Sequence, residues 1–168
     1  ALKHIRPVDA RRFISFIPPR YRVIMLNEAY NKPLHRAFAI SLMEELYKRG
    51  FRYLAMEMLN PGPDQELHKL TYKTGHFTAE PVAGEMVRIA LDMGFQLVAY
   101  DDPQAAQHST TVRDSIQASR IFQVFKDDSL ARIFVYAGYG HIARQSPATN
   151  YGHLGMAFIK MGKAAGGQ

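Results

Sequence analysis

Short apolar runs alternate along this chain with longer stretches in which apolar residues return every three or four positions. Arg22 to Leu26 reads as a buried strand. Leu34 to Arg49 reads as a helix, with Leu34, Phe38, Leu42 and Leu46 in one stripe and Glu44, Glu45, Lys48 and Arg49 on the wet side. Gly50 stops it. Phe51 to Met56 is a second strand, followed by the loop NPGPDQ. Residues 66 to 78 carry no clear period. Pro81 suits the first turn of a helix to Met93, Gly94 ends it, and Phe95 to Tyr100 is a third strand. Thr110 or Thr111 caps a helix through Phe125, with Ala118, Ile121, Phe122 and Phe125 as its stripe and Asp114 favourable in its first turn. Ala131 to Ala137 is a fourth strand, and Gly155 to Lys163 a glycine-containing helix. The first 20 residues read as an irregular lead-in ending in prolines.

Strands alternating with helices predict an α/β fold, a mostly parallel β-sheet covered by helices, in a single domain over residues 1–168. One echo lies inside it. KRGFRYLAMEML and LDMGFQLVAYDD share Gly-Phe, an alanine and then an acid: Gly50, Phe51, Ala55, Glu57 against Gly94, Phe95, Ala99, Asp101. In a parallel sheet all strand C-termini share one edge, where open α/β folds place ligands. Glu28, Glu57, Asp101 and His141 fall at four such tips, and His35 joins them from the helix after the first strand. Acids and imidazoles converging in a half-buried cleft suit general acid and base work, with water activation the natural reaction. Glu28, following four apolar residues, is expected to leave the core for that cleft.

Composition narrows the classes. At 168 residues and 47% hydrophobic, the chain can bury roughly 70% of its unfolded surface. With no cysteine there are no disulfides, thiolate metal sites or thiol nucleophiles, and no apolar run approaches the ~20 residues of a membrane span. A net charge of +6 comes from scattered Lys and Arg without aromatic interleaving, which predicts a solvated basic surface and no nucleic-acid partner. The expectation is a soluble protein of the periplasm, cell envelope or cytoplasm, of undetermined oligomeric state, whose Ala1 start and AAGGQ end suggest a piece of something longer. His and carboxylate groups also suit a divalent metal, although no familiar metal-ligand spacing is present. Arg113 either meets solvent or reaches an anionic group. His68, His76, His108 and His153 read as surface or loop residues.

The order Asn27-Glu28, His35, Gly50-Phe51, Glu57, Gly94-Phe95, Asp101, Arg113 with Ala118, and Gly138 to His141 resembles the erythromycin-esterase/ChaN-like superfamily. That bacterial group links erythromycin esterases, haem-binding ChaN-like iron-uptake lipoproteins and, more distantly, Tiki/TraB proteins. The resemblance runs from Tyr21 to Lys163. NEAYNKPLHRAF is similar to its Gly-Glu-x-His stretch, and AGYGHI to its closing Gly-x-x-His-Ile segment. It implies Glu28 and Glu57 as site carboxylates, His35 and His141 as candidate bases and Arg113 as an anion or transition-state partner. Asn27, Asp101 and Tyr139 are the neighbouring substrate contacts. Two departures matter: Asn27 replaces the usual glycine, and Tyr30 and Asn31 stand where the family has histidine. The expected activity is hydrolysis of an ester or amide in a small molecule or peptide-like substrate. The alternative is a haem- or metal-binding protein with a degenerate site, in which Tyr30 is an axial haem ligand. A third is an inactive domain of a larger envelope protein.

Overall fold

A computed structural model describes residues 8–142 and 154–164. Among the described residues are four strands, β1 (Val23–Glu28), β2 (Tyr53–Met56), β3 (Gln96–Ala99) and β4 (Ile133–Gly138), and four α-helices, α1 (Pro33–Lys48), α2 (Pro81–Met93), α3 (Thr110–Asp127) and α4 (Leu154–Ala164). All strand pairs are parallel, in the order β1-β4-β2-β3. The expected α/β architecture with a parallel, helix-covered sheet is therefore present. Among the described residues no helix is long and apolar enough to cross a membrane.

Strand alternation divides the core in two. Ile24, Leu54, Met56, Leu97, Phe134 and Tyr136 face a layer built with α1 and α2. Ala55, Ile133, Val135 and Ala137 face a second layer built with α3 and α4. Because the last strand inserts between the first two, helices on opposite faces leave neighbouring strands, the arrangement at whose strand C-termini open α/β folds place ligands.

Three local readings shift. The strand expected over Arg22 to Leu26 continues through Asn27 and Glu28, which pair with Ala137 and Gly138. The buried side of α1 is Arg36, Ala39, Leu42, Met43 and Leu46, whereas Leu34 is 77% exposed. The stripe is rotated because a buried acid on β1 needs Arg36 inside. Ser109, rather than Thr110 or Thr111, caps α3 by accepting from the Val112 amide. Within the lead-in, a 3₁₀ turn over Ala10–Phe16 buries Ile14 and sets Phe13 against Phe38 of α1. Another such turn, His76–Ala79, orders the end of the illegible stretch and leads into α2, whose first amides are capped by Glu80.

Candidate functional site

Two polar networks lie at the carboxyl edge of the sheet, one on each face. On the α1/α2 face, Glu28 is 1% exposed and Arg36 3%. Arg36 Nε lies 2.8 Å from Glu28 Oε2, and Nη2 donates to Oε1 at 3.1 Å. Arg36 Nη1 donates to Glu80 Oε2 at 3.0 Å, and the Tyr136 hydroxyl donates to Glu28 Oε2 at 3.1 Å. Burial raises the Glu28 pKa despite the lowering contribution of Arg36. Burial and the adjacent Glu28 also raise that of Tyr136. Glu28 was expected to leave the core for a cleft. Instead it stays inside, answered by an arginine one helical turn into α1.

On the α3 face, Glu57 accepts three hydrogen bonds and has the His141 ring as a fourth polar neighbour. Arg113 Nη2 donates to Oε1 at 2.8 Å, the Tyr30 hydroxyl to Oε2 at 3.0 Å and the Gly138 amide to Oε2 at 2.6 Å. His141 Nε2 lies 3.3 Å from Oε1, the longest of the four. Arg113 also grips Asp101, Nε to Oδ1 at 2.9 Å and Nη2 to Oδ2 at 2.8 Å. The two acids of the sequence echo thus meet on one guanidinium. Burial opposes the charge of Arg113, but Asp101 and Glu57 outweigh it and hold the side chain cationic. His141 Nδ1 is 2.7 Å from Asp114 Oδ1, and this hydrogen bond, with help from Glu57, raises the imidazole pKa against the effect of burial.

The backbone explains why these groups meet. Gly140, at φ +100, takes a left-handed turn that most residues resist, bringing His141 back over β4. A Cβ at Gly138 would collide with the Tyr30 hydroxyl and lie 2.8 Å from Glu57 Oε2, so only glycine permits that approach. Tyr30 spans both networks, since its carbonyl accepts from Arg36 Nη2 at 3.1 Å while its hydroxyl donates to Glu57.

Of the residues expected at the site, Glu57, Arg113, His141, Asp101 and Tyr30 share this cluster. Asp101 serves Arg113 and Gln117 Nε2, its bond to the latter being 2.7 Å. Glu28 belongs to the second network. His35 does not join either: its Nδ1 accepts from the Ala29 amide at 3.0 Å, and its ring lines a groove beside β1 with Asn27, Leu26, Leu34 and Phe38. Helix α1 turns His35 outward because Arg36 takes the inward position. Tyr139 is exposed on the turn after β4, without a hydrogen bond into the cluster among the described residues.

Asp114, Gln117, Arg36 and Glu80 are the partners that the sequence did not disclose. Asp114 and Gln117 share a helix face with Ala118 and Ile121, and polar residues on an apolar stripe are the one available signal of a buried network. His108, expected at the surface, pairs through Nδ1 with the buried Asp102 at 2.6 Å.

Haem ligation through Tyr30 does not fit this arrangement. A tyrosinate ligand must lose its proton, whereas burial and Glu57 push the Tyr30 pKa up and its hydroxyl is already wedged between Glu57 and Gly138. Among the described residues no three His, Asp or Glu side chains are disposed to hold a metal ion.

No protein-family model and no curated protein matches this sequence. Solved structures do match in fold. Two of bacterial protein toxins superpose with TM-scores of 0.67 at 12% and 11% identity, each covering 90% of this chain and 35% of the toxin chain. The MARTX toxin effector domain RRSP from Vibrio vulnificus CMCP6 superposes with a TM-score of 0.54 at 16% identity, covering 73% of this chain and 28% of that one. The chain therefore spans about a third of the length of these toxin chains, and the likeness is one of fold.

Proposed function

We propose that this domain hydrolyses an ester or amide bond in a small molecule or peptide-like substrate, with His141 as the group that moves the proton. The observation that carries the reading is the clamping of His141 between Asp114 and Glu57 at the carboxyl edge of the sheet, beside Arg113. Asp114 fixes the ring so that Nδ1 carries a proton and Nε2 faces Glu57. The 3.3 Å contact at Nε2 is the loosest in the cluster and the one that water or substrate displaces.

In the neutral form, Nε2 takes a proton from water as the water oxygen bonds to the substrate carbonyl carbon. The same Nε2–H then protonates the leaving alkoxide or amine as its bond to that carbon breaks, so one water is added across the bond. Arg113, anchored by Asp101, supplies positive charge to the carbonyl oxygen as it becomes an oxyanion. Glu57 is an anchor rather than a base, because its oxygens already accept from Arg113, Tyr30 and Gly138. This keeps the hydrolytic chemistry implied by the erythromycin-esterase-like resemblance but narrows its candidate bases from His35 and His141 to His141, leaves Glu28 out, and adds Asp114 as the group that orients the ring.

The test is turnover of a panel of activated esters and peptide amides by wild type and His141→Ala. Loss of general acid and base catalysis predicts a fall in kcat/KM on the order of 10² to 10⁴. Equal rates for the two proteins, or no wild-type turnover of any substrate, would overturn the assignment.

A further inference from the structure

A half-exposed aromatic pair adjoins the cluster and has no role in the proton transfer. Tyr30 and Phe77 stack with ring centroids 6.2 Å apart and planes 14° from parallel. Each residue is about half exposed, at 51% and 56%, and the end of Tyr30 that is buried is its hydroxyl, against Glu57 and Gly138. Neither is loose. The Tyr30 hydroxyl is held by Glu57, and its carbonyl by Arg36. Phe77 sits in the His76–Ala79 turn, braced edge-on by His76 at 5.3 Å and anchored by buried Thr78, whose hydroxyl donates to the Gly75 carbonyl.

A half-exposed ring held at its hydroxyl and its carbonyl, as Tyr30 is, forgoes apolar burial while having already lost rotamer freedom, which is the pre-organisation a binding surface needs. Their chemistry favours a planar apolar partner. The adjoining cluster sets the carboxylates of Glu57, Asp101 and Asp114 against one guanidinium and one imidazole, so its net charge does not draw in a ligand that is already anionic, and Arg113 acts only on charge that develops on a bound neutral group.

We propose that the Tyr30–Phe77 pair is a binding shelf for an aromatic side chain of a peptide-like substrate. Because the Tyr30 hydroxyl touches Glu57, a ring stacked there lies next to the group that faces His141 Nε2. Placement of that ring beside the scissile bond rests on the hydrolase reading; the shelf itself does not.

The experiment titrates the intact chain with N-acetyl-phenylalaninamide and N-acetyl-alaninamide and follows amide and aromatic NMR resonances. Saturable shifts at Tyr30, Phe77 and Gly138 are expected with the phenylalanine compound alone. Phe77→Ala should weaken its binding by roughly three- to tenfold, the worth of one aromatic contact, and Phe77→Leu should weaken it less. Equal shifts with both compounds, shifts elsewhere in the molecule, or binding indifferent to Phe77→Ala would overturn the shelf. Binding at the shelf without turnover of any ester or amide would instead defeat the hydrolase reading and leave the shelf standing.

Discussion

Replacing Arg36 with methionine tests the network around Glu28. The substitution preserves an unbranched side chain in α1 but removes the Nε contact at 2.8 Å and the Nη2 hydrogen bond at 3.1 Å. Glu28, 1% exposed, then retains the Tyr136 hydroxyl as its remaining side-chain donor. Removing one partner of a buried pair costs about 3–5 kcal/mol, because the other charge is left unanswered. For a chain of 168 residues, where each kcal/mol shifts the melting midpoint by about 2–4 °C, that predicts a fall of roughly 6–20 °C near neutral pH. The loss depends on pH with a definite sign. Desolvation raises the Glu28 pKa above its usual 4.5, and Arg36 is the principal group that lowers it, so the variant's folded state binds this proton more tightly than its unfolded state does. Stability then falls as pH rises from about 4.5 through the raised folded value, and the deficit is smaller at pH ~5 than at pH ~7.5. Thermal unfolding followed by circular dichroism at the two pH values measures this directly. The double variant Glu28→Gln with Arg36→Met, having no buried charge, should recover most of the lost midpoint at pH ~7.5. A single variant melting within about 2 °C of wild type, or a double variant no better than the single, would refute the reasoning.

Asp114→Asn removes the largest contribution raising the His141 pKa, so the titration midpoint of the ring followed by NMR should drop toward 6.5. In wild type, the folded imidazole binds its proton more tightly than the unfolded one; that stabilisation is complete below pH 6.5 and is lost as pH rises through the folded value. If His141 is the base, the rising limb of kcat/KM against pH lies above the ordinary imidazole range in wild type. It moves down in Asp114→Asn, with a maximal rate lower by on the order of 10²-fold; an unmoved limb would exclude His141. Gly138→Ala places a methyl group against the Tyr30 hydroxyl and should cost about 1–3 kcal/mol while displacing the Tyr30 ring from Phe77. Unchanged melting and unchanged Tyr30 resonances would show that the hydroxyl does not lie where the close approach puts it.

What the sequence discloses depends on whether a residue's role follows from chain geometry or from a partner distant in the chain. The helix-stopping glycines and the acids after β2 and β3 follow from one repeated αβ unit in a parallel sheet, so the meeting of Glu57 with Asp101 near one edge is legible without coordinates. Glu28 looks the same, an acid at the end of an apolar run, yet it faces the other layer of the sheet. Its partner Arg36 is hidden because an arginine in an amphipathic helix reads as solvated, and the stripe through Leu34 and Phe38 fits the helical period nearly as well as the true one. That ambiguity also misplaces His35, for neighbours on a helix are about 100° apart and an inward Arg36 turns His35 outward. Asp114 fails for a related reason: expected in the helix's first turn it is already explained by the helix dipole, so nothing prompts a search for an imidazole 27 residues on, yet the Ser109 cap puts it past that turn, where its carboxylate answers His141 instead. The two polar networks differ in what hides them. The Glu28 network is buried and answers its own charges, whereas the Glu57 cluster has a loose 3.3 Å contact at an imidazole and an open aromatic flank. A carboxylate fully satisfied inside the protein can only stabilise. An imidazole whose second nitrogen is weakly held can exchange its partner, and that difference is why the proposed proton transfer is placed on the α3 face of the sheet.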